Sequence, residues 1–458
     1  MKKIIVMSAA ALVMSGCGIY SKYKPAEEVP EGLYGADYTA TGEAAADTVN
    51  FGNAAWKTVF TDPYLQRLID TALVRNADLQ TAQLKVKEAE ASLMSARLSY
   101  LPSFNFTPNG TLSSFDGSPV SKTYTIPVQA SWEIDIFGKL TNAKRQTRVG
   151  YELSEANVQA VKTSLVAGVA NVYYTLLMLD AQHRIAVETE AVWKQSVETT
   201  RAMKKAGMVT EAALAQTEAT YYSIRTQLLT LSEQINTTQN ALCLLLMETP
   251  RAIERGRLED QSLPTDLAVG IPIQMLSNRP DVRMAELSLA RSFYGTNAAR
   301  AAFYPTITLG GSVGWTNSAG AAIVNPGKFL WSAVASLTQP LFNRAANIAQ
   351  LRIAKAQQEE AQLAFQKTLL SAGIEVNEAL EAYQTAQSKA TLYDRQVEAL
   401  ETATRSTQLL MKHGNTTYLE VLTAQQTLLS AQLNQVANRV TEIQSVITLY
   451  RALGGGRM

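Results

Sequence analysis

The chain has 458 residues, enough for roughly two to four domains, and is rich in Ala, Leu, Gln and Thr, which favours helices. Its 41 basic and 40 acidic residues nearly cancel, so the composition does not suggest a nucleic-acid-binding surface. With only two His and two Cys, metal chemistry and histidine-based catalysis are poor hypotheses.

The N-terminus reads as an export signal. Lys2-Lys3 precede an apolar run, Ile4 to Met14, and Ser15-Gly16 then lead directly into Cys17. This pattern predicts cleavage before Cys17 and lipidation of its thiol; the alternative is an ordinary signal peptide with a chance cysteine. Several acyl chains give stable anchoring, and Gly18 after the cysteine is compatible with an outer membrane. No cofactor is expected beyond this covalent lipid.

The other cysteine, Cys243, lies in the apolar run Ala241 to Met247 and is predicted to be a buried, inert thiol. No apolar run approaches the roughly 18 residues of a spanning helix. If the chain crosses a membrane, it therefore has to do so with strands.

The first half of the mature chain begins with a helical pattern from Pro63 to Tyr100, capped by Asp62 and broken near Asn76. Two strand regions follow, Pro102–Phe115 and Tyr124–Ile136, in which apolar and polar residues alternate. The next predicted elements are a helix from Lys139 to Lys205, a turn at Gly207 and a helix from Thr210 to Met247.

The second half repeats this order. Asp78–Pro102 matches Asp281–Pro305, Ile136-Phe137 matches Leu341-Phe342, and the turn at Gly207 matches Gly414, at offsets of 203, 205 and 207. A steady offset over three landmarks indicates tandem duplication. The corresponding elements are the strands Thr306–Thr316 and Phe329–Thr338 and a helix Arg344–Lys412.

A helix of about 70 residues is about 100 Å long, and other long helices have to pack against it to bury its apolar stripe. The second such helix has a seven-residue pattern typical of a coiled-coil seam, which comprises Leu369, Ala372, Val376, Ala379, Tyr383, Ala386, Ala390, Tyr393, Val397 and Leu400.

Four strands are too few for a membrane barrel, because closed barrels need about eight. The apolar faces carry Tyr124, Trp132, Trp315 and Trp331, like the aromatic girdles of outer-membrane barrels. Gln129, Glu133 and Asp135 on the polar face suit a wet lumen. We therefore expect several copies to share one pore; spacing alone would permit two or three.

These motifs resemble the outer-membrane efflux protein (TolC) family, in its lipoprotein branch. The resemblance rests on segments spread over nearly the whole mature chain: Trp56 with Asp62–Leu65, Ala96-Arg97 with Pro102, Ser131–Leu140, Asn278–Glu286, and the turns at Gly207 and Gly414. It implies a fold that is mainly α with a membrane β-barrel: a homotrimer with a twelve-stranded barrel and a twelve-helix α-barrel. It also implies a periplasmic adaptor and an inner-membrane RND-type transporter as partners.

The resemblance further implies roles for particular residues. The two turns would be adaptor-docking tips, formed by Gly207, Met208 and Val209 and by Gly414, Asn415 and Thr416; alternatively, the two glycines are only helix C-caps. Glu420 and Thr423 fall at the family's periplasmic gate, where Glu420 of three copies would form a carboxylate ring. Alternatively, Glu420 is an ordinary charged residue on a solvent-exposed helix surface.

The predicted boundaries are a signal peptide 1–16, an anchored segment 17–61, a first repeat 62–249, a connecting segment 250–272, a second repeat 273–450 and a tail 451–458. No catalytic set is suggested, and His183 and His413 read as structural, so we predict no enzyme. The leading hypothesis is the passive outer-membrane duct of a tripartite efflux pump. The alternatives are the exit channel of a type I protein secretion system and a lipid-anchored periplasmic coiled-coil scaffold without a pore.

Overall fold

A computed structural model describes residues 21–25, 33, 51–262, 264, 278–317, 328–413 and 418–456. In this part of the chain, two short 3₁₀ turns occur at Phe51–Asn53 and Leu258–Asp260. The helices are α1 (Trp56–Val59), α2 (Pro63–Arg75), α3 (Ala77–Leu98), α4 (Lys139–Lys205), α5 (Glu211–Leu245), α6 (Pro280–Ala301), α7 (Ala346–Lys412) and α8 (Tyr418–Ala452). The strands are β1 (Ser103–Phe106), β2 (Asn109–Ser113), β3 (Ser121–Ile134), β4 (Thr306–Thr316) and β5 (Lys328–Thr338).

The internal duplication is visible in the helix lengths. Helices α3 and α6 have 22 residues each, α4 and α7 have 67 each, and α5 and α8 have 35 each. The predicted span of the first long helix is confirmed, whereas the second begins at Ala346 rather than Arg344. Arg344 and Ala345 have positive φ, which is incompatible with a right-handed helix and explains the late start.

Capping explains several helix ends. Asp62 accepts hydrogen bonds from the N–H groups of Tyr64 and Leu65, and proline occupies the first position of α2. Asn76, at the predicted break, accepts from the N–H groups of Asp78 and Leu79 at the start of α3. Both predictions are confirmed.

The chain forms two compact units, each with parts of both repeats. The sheet unit comprises Met1–Ala26, Gln83–Ala156 and Arg283–Thr368; the helical unit comprises Glu27–Ala82, Asn157–Val282 and Leu369–Met458. The domain boundaries inferred from the sequence stay a prediction.

The sheet unit contains all five strands, in the order β1-β3-β4-β5, with β2 also paired to β3. All pairs are antiparallel. The strand region predicted at Pro102–Phe115 is thus one edge strand interrupted at residues 107–108, and β3 ends at Ile134, two residues earlier than expected.

The helical unit buries its seams as the heptad pattern predicted. In α7, Leu369, Ala372, Val376, Ala379 and Ala386 are buried, and the other seam positions are buried or half-buried. By length and composition α4 contains a window that could cross a membrane, but 61% of that window is buried inside the fold, as in the core helix of a soluble protein.

Candidate functional site

The sheet has one mainly apolar and one mainly polar face. Residues directly opposite each other in an antiparallel ladder project to the same side, and the observed register pairs apolar with apolar residues across β1, β3, β4 and β5. The apolar face comprises Phe104, Phe106, Ile126, Val128, Ala130, Trp132, Ile134, Ile307, Leu309, Val313, Trp315, Phe329, Trp331, Ala333, Ala335 and Leu337. Its large side chains are solvent-exposed in the single chain, with Trp331 at 70% and Phe104 at 68%.

The opposite face is mostly polar, although Leu330 and Val334 of β5 also lie on it. A row of Asn105, Gln129, Ser312 and Ser332 crosses the sheet, and the two serine hydroxyls lie 2.8 Å apart. The sheet therefore combines a surface suited to hydrocarbon with a surface suited to water, which is the arrangement of a barrel wall.

Pro127 does not create a bulge in β3. Its ladder with β4 continues without an inserted residue, and Pro127 lies opposite Gly314. The two backbones approach so closely there that a Cβ on residue 314 would lie 2.2 Å from the Ile126 carbonyl oxygen. On its other side, Pro127 faces the interruption between β1 and β2, where its carbonyl accepts from the Thr107 N–H.

Among the described residues, both margins of the sheet are open. In the described part of the chain, no strand pairs with the outer side of β5 or of β1 and β2. Every residue of these three strands is exposed. Open edges next to an exposed apolar face cannot persist within a bilayer, because unpaired backbone groups cost several kcal/mol each there.

The junction from β3 to α4 corrects one sequence assignment. Asp135, expected on the lumenal face, instead accepts hydrogen bonds from the N–H groups of Leu140 and Thr141 and from the Thr141 hydroxyl. It caps α4. Glu133 pairs with Lys139 at 2.8 Å.

Aromatic contacts complete this junction. The Trp132 indole donates to the Tyr100 carbonyl oxygen at 2.8 Å, and Phe137 stacks on Tyr304 with ring centroids 5.0 Å apart. Gly138, with φ of +73°, supplies the turn into α4. The segment Ser131–Leu140 is thus a strand-to-helix connector, and this explains its composition.

The first predicted tip is a Schellman motif. The Met208 N–H donates to the Met203 carbonyl and the Gly207 N–H to the Lys204 carbonyl, both at 2.9 Å, with Gly207 in the left-handed conformation. Thr210 then caps α5 by accepting from the Ala213 N–H. The C-cap interpretation of Gly207 is correct, and it leaves Met208 70% exposed and Val209 half-buried.

The predicted gate residues share one face of α8. Glu420 lies in its first turn and Thr423 one turn later; both are exposed, and Thr423 donates to the Leu419 carbonyl oxygen. The opposite face is anchored in the helical unit, where Tyr418 and Leu422 pack with Trp193 and Ile224. The Tyr418 hydroxyl also donates to the Ser196 carbonyl oxygen at 3.0 Å.

The remaining predicted positions, Cys17 and the second tip at Gly414, Asn415 and Thr416, lie outside the described residues. The turns are nonetheless equal in length, since five residues separate α4 from α5 and five separate α7 from α8. Among the described residues, no cluster of His, Cys, Asp and Glu side chains could hold a metal ion.

Comparison with known families identifies the architecture. The model of the family described as "Outer membrane efflux protein" matches residues 68–246 and 271–455. The chain belongs to the outer membrane efflux protein family. The two matched segments agree with the two structural repeats.

Similar proteins extend over nearly the full length. The cation efflux system protein CusC of Escherichia coli K12 is 30% identical over 97% of this chain and 98% of its own. The probable outer membrane lipoprotein SilC of Salmonella typhimurium is 28% identical over 100% and 99%. The open-state MtrE outer membrane channel of Neisseria gonorrhoeae has a TM-score of 0.83 at 29% identity, covering 95% of this chain and 98% of its own.

The chain is therefore an outer-membrane efflux channel with the family's fold, mainly helical with a membrane β-sheet. The family acts as a transport duct, not as an enzyme. The sheet described above is the membrane part of this channel, and its location is the outer membrane.

Sequence reasoning missed an ionic network in the helical unit of this efflux protein. Arg279, whose side chain is 7% exposed, donates to both carboxylate oxygens of Asp281, to Glu375 at 2.7 Å and to the Ala452 carbonyl at 2.7 Å. Glu375 also pairs with Arg451. Burial alone would lower the pKa of Arg279, but hydrogen bonds and charges of Asp281 and then Glu375 outweigh it and raise the pKa.

A second missed group surrounds Asp62. The Tyr173 hydroxyl donates to Asp62 at 2.6 Å and accepts from the Gly256 N–H at 3.0 Å, while the Gln261 amide also donates to Asp62. Burial, followed by the hydrogen bond to Asp62, raises the pKa of Tyr173 above its usual range. These contacts hold the segment that follows α5 against α4. The only signal in the sequence was Asp62 itself, assigned there as a helix cap alone.

Proposed function

We propose that three copies of this chain form one passive duct, with a shared barrel of twelve strands continued by a barrel of helices through the periplasm. The observation that carries this proposal is the sheet with two dissimilar faces and two open margins, in which β1 and β2 form one interrupted edge strand and each copy so supplies four strands to a barrel wall. Three copies supply twelve strands, above the roughly eight that a barrel needs, and pair every edge.

The helices support the same assembly. On α7, Leu363 and Leu370 are seven residues apart and 67% and 51% exposed; on α5, Tyr222 and Leu229 are also seven apart and 59% and 74% exposed. A seven-residue apolar stripe is the pattern by which a helix packs along another helix. Because these stripes are uncovered in the single chain, neighbouring copies are their natural partners.

The basic test is the mass and conductance of the full-length protein. In detergent we expect a trimer, and in planar lipid bilayers we expect discrete channel openings. A monomer whose strands are digested by protease from the periplasmic side would contradict the proposal.

The duct would export small toxic compounds selected by its pump. Relatives of 27–30% identity carry names as different as cation, antibiotic and toluene efflux, so similarity along this chain does not assign a cargo. The polar face of Ser, Thr, Asn and Gln side chains has few charges and is suited to unselective passage. Susceptibility profiling of a deletion strain would identify the compounds.

The partners would be a periplasmic adaptor, which meets the two tips, and an inner-membrane RND-type transporter, which provides the energy. The exposed Met208 supports docking at the first tip. Cysteines at Met208 and Asn415 should cross-link to the adaptor in intact cells. A cysteine at the exposed Thr441, about 35 Å along α8 from its start, is the control and should not cross-link.

Glu420 would form the acidic ring at the periplasmic entrance. Its exposure on the face away from the Trp193 core supports this role. Glu420→Gln should reduce the preference for cations in reversal-potential measurements, whereas Thr423→Ala should not. If both variants keep the wild-type selectivity, Glu420 only stabilises the N-terminus of α8.

Cys17 would carry the lipid anchor. Labelling with radioactive palmitate should be lost in Cys17→Ser, and globomycin should block processing of the wild-type precursor. Unlabelled wild-type protein would contradict the anchor.

A further inference from the structure

A cavity of about 460 Å³ lies in the helical unit, between α4, the 3₁₀ turn at Leu258–Asp260, α7 and α8. This volume is in the range of protein sites for small molecules. Part of the wall is apolar and consists of Ile185, Leu258, Ala390 and Val436. The duct proposed above does not use this cavity.

The charged side chains of the wall are two guanidinium groups and three carboxylates. Arg184 pairs with Glu259, and Arg439 pairs with Glu442 at 2.6 Å. Within the described residues, the remaining carboxylate, that of Asp394, has no cationic partner within ion-pair distance. The wall therefore has one negative charge in excess.

Two side-chain amides of α8 also line the cavity. Gln435 donates a hydrogen bond from its amide nitrogen to Asp394 at 2.7 Å, and Asn438 donates to the Ala386 carbonyl oxygen at 2.9 Å. In the described part of the chain, neither amide oxygen accepts a hydrogen bond. Because Asn438 is only 8% exposed, an unused acceptor there carries a desolvation cost that a bound donor would remove. We refer to Asp394, Gln435 and Asn438 as the acceptor group.

The first repeat has apolar residues at the positions of the acceptor group. With the offset of 207 residues between the helices of the two repeats, the counterparts are Val187, Leu228 and Leu231. Leu231 is buried in a hydrophobic cluster formed by α4 and α5, and Leu228 packs against this cluster. The second repeat therefore has polar groups facing a cavity where the first repeat has a hydrophobic contact. Such an exchange costs stability unless the polar groups find partners.

We propose that this cavity binds a small organic ammonium ion with an apolar body. A protonated primary amine has three N–H donors and one positive charge, which match the oxygens of the acceptor group and the single charge in excess. The apolar body packs against Ile185, Leu258 and Val436. Because the wall includes α4 as well as α7 and α8, the bound ion holds these three helices together.

The test is calorimetric titration of the detergent-solubilised full-length protein. The probes are phenethylammonium, its neutral isostere 2-phenylethanol and the anion 3-phenylpropionate, each titrated separately. Asp394→Asn removes the charge of the unpaired carboxylate at an exposed position. Glu398→Gln is the matched control, because Glu398 is an exposed carboxylate one turn further along α7 that does not line the cavity. Ala390→Leu fills the cavity, and circular dichroism verifies that each variant is folded.

We expect phenethylammonium to bind the wild type and Glu398→Gln equally, and Asp394→Asn about tenfold more weakly, since a charge-assisted hydrogen bond is lost. Ala390→Leu should abolish binding. The alcohol should bind more weakly than the ammonium ion and should not distinguish the wild type from Asp394→Asn, and the anion should not bind.

Three results would overturn the site: no binding of phenethylammonium to the wild type, equal affinity for the ammonium ion and the alcohol, or equal weakening in Asp394→Asn and Glu398→Gln. A preparation that is trimeric and conducting but does not bind phenethylammonium refutes this inference alone and leaves the proposed duct intact.

Discussion

The two repeats agree in their helices and differ where each strand pair joins its long helix. In the first repeat, Asp135 caps α4, Gly138 makes the turn with positive φ, and Phe137 stacks on Tyr304. In the second repeat, Pro340 occupies the position of Asp135, and the non-glycine residues Arg344 and Ala345 have φ of +54° and +61°.

The apolar side chains at the junction between β5 and α7 are solvent-exposed in the single chain. Leu341 and Phe342 are 93% and 87% exposed, whereas Ile136 of the first repeat is 45% exposed. The partner of Phe137 is Tyr304 of the other repeat, and the residue equivalent to Tyr304 is Leu101, itself 61% exposed. The difference teaches that the chain completes one junction internally and leaves the equivalent one exposed in the single chain; in the proposed trimer, a neighbouring copy would cover it.

The largest difference in stability between equivalent substitutions in the two repeats is expected in the strands. Gly314→Ala forces a Cβ into the Ile126 carbonyl and should lower the free energy of unfolding by about 3 kcal/mol. The equivalent position in the first repeat is Thr111, which is exposed, and Thr111→Ala should be nearly neutral. Guanidinium unfolding in detergent measures both; equal losses would mean that the close approach at Pro127 does not matter.

Phe342→Ala tests the uncovered junction directly. If Phe342 packs against the next copy, its removal should weaken trimer association by about 2 kcal/mol per copy, the value of one buried aromatic side chain. Phe137→Ala is the matched control and should lower the stability of the folded chain instead. Light scattering on dilution detects dissociation, and an unchanged association constant for Phe342→Ala would contradict the comparison.

Asp135→Ala removes the side-chain cap of α4 and should destabilise the fold by about 1 to 2 kcal/mol. The counterpart, Pro340→Ala, removes no cap and should change stability much less. Thermal unfolding followed by helical circular dichroism compares the two, and similar losses would show that the capping bonds contribute little.

The smallest effect concerns the turns with positive φ. Ala345→Gly relieves a left-handed residue and should raise stability by about 1 kcal/mol, whereas Gly138→Ala should lower it by a similar amount. Opposite signs in denaturant midpoints are the expected result. A loss of stability in both variants would indicate that packing, not backbone conformation, determines these positions.

Local patterns predicted much of this molecule. The C-terminal end of α4 follows from Gly207, a feature of a few neighbouring residues. Helix α5 runs from Glu211 to Leu245 instead of the predicted Thr210 to Met247, and Thr210 is its N-cap. The two faces of the sheet follow from alternation, and the observed register brings those faces together without a single inversion.

The same local reasoning failed at Asp135, since alternation continues past the last ladder pair at Ile134 and a two-residue period cannot distinguish a strand residue from a helix cap. It also could not identify the partners of Arg279. Glu375 and Ala452 are 96 and 173 residues away, and only the folded chain brings them together.

By itself, the sequence determined the repeats, the lengths of the helices and the two-faced strands, because these depend on spacings of two, four or seven residues along one backbone. Tertiary structure decided which strands are neighbours, where Gly314 must remain without a side chain, and that residues 21–25 line a cavity together with α4 and α6. Such contacts depend on the path of the whole chain, and no local periodicity encodes that path.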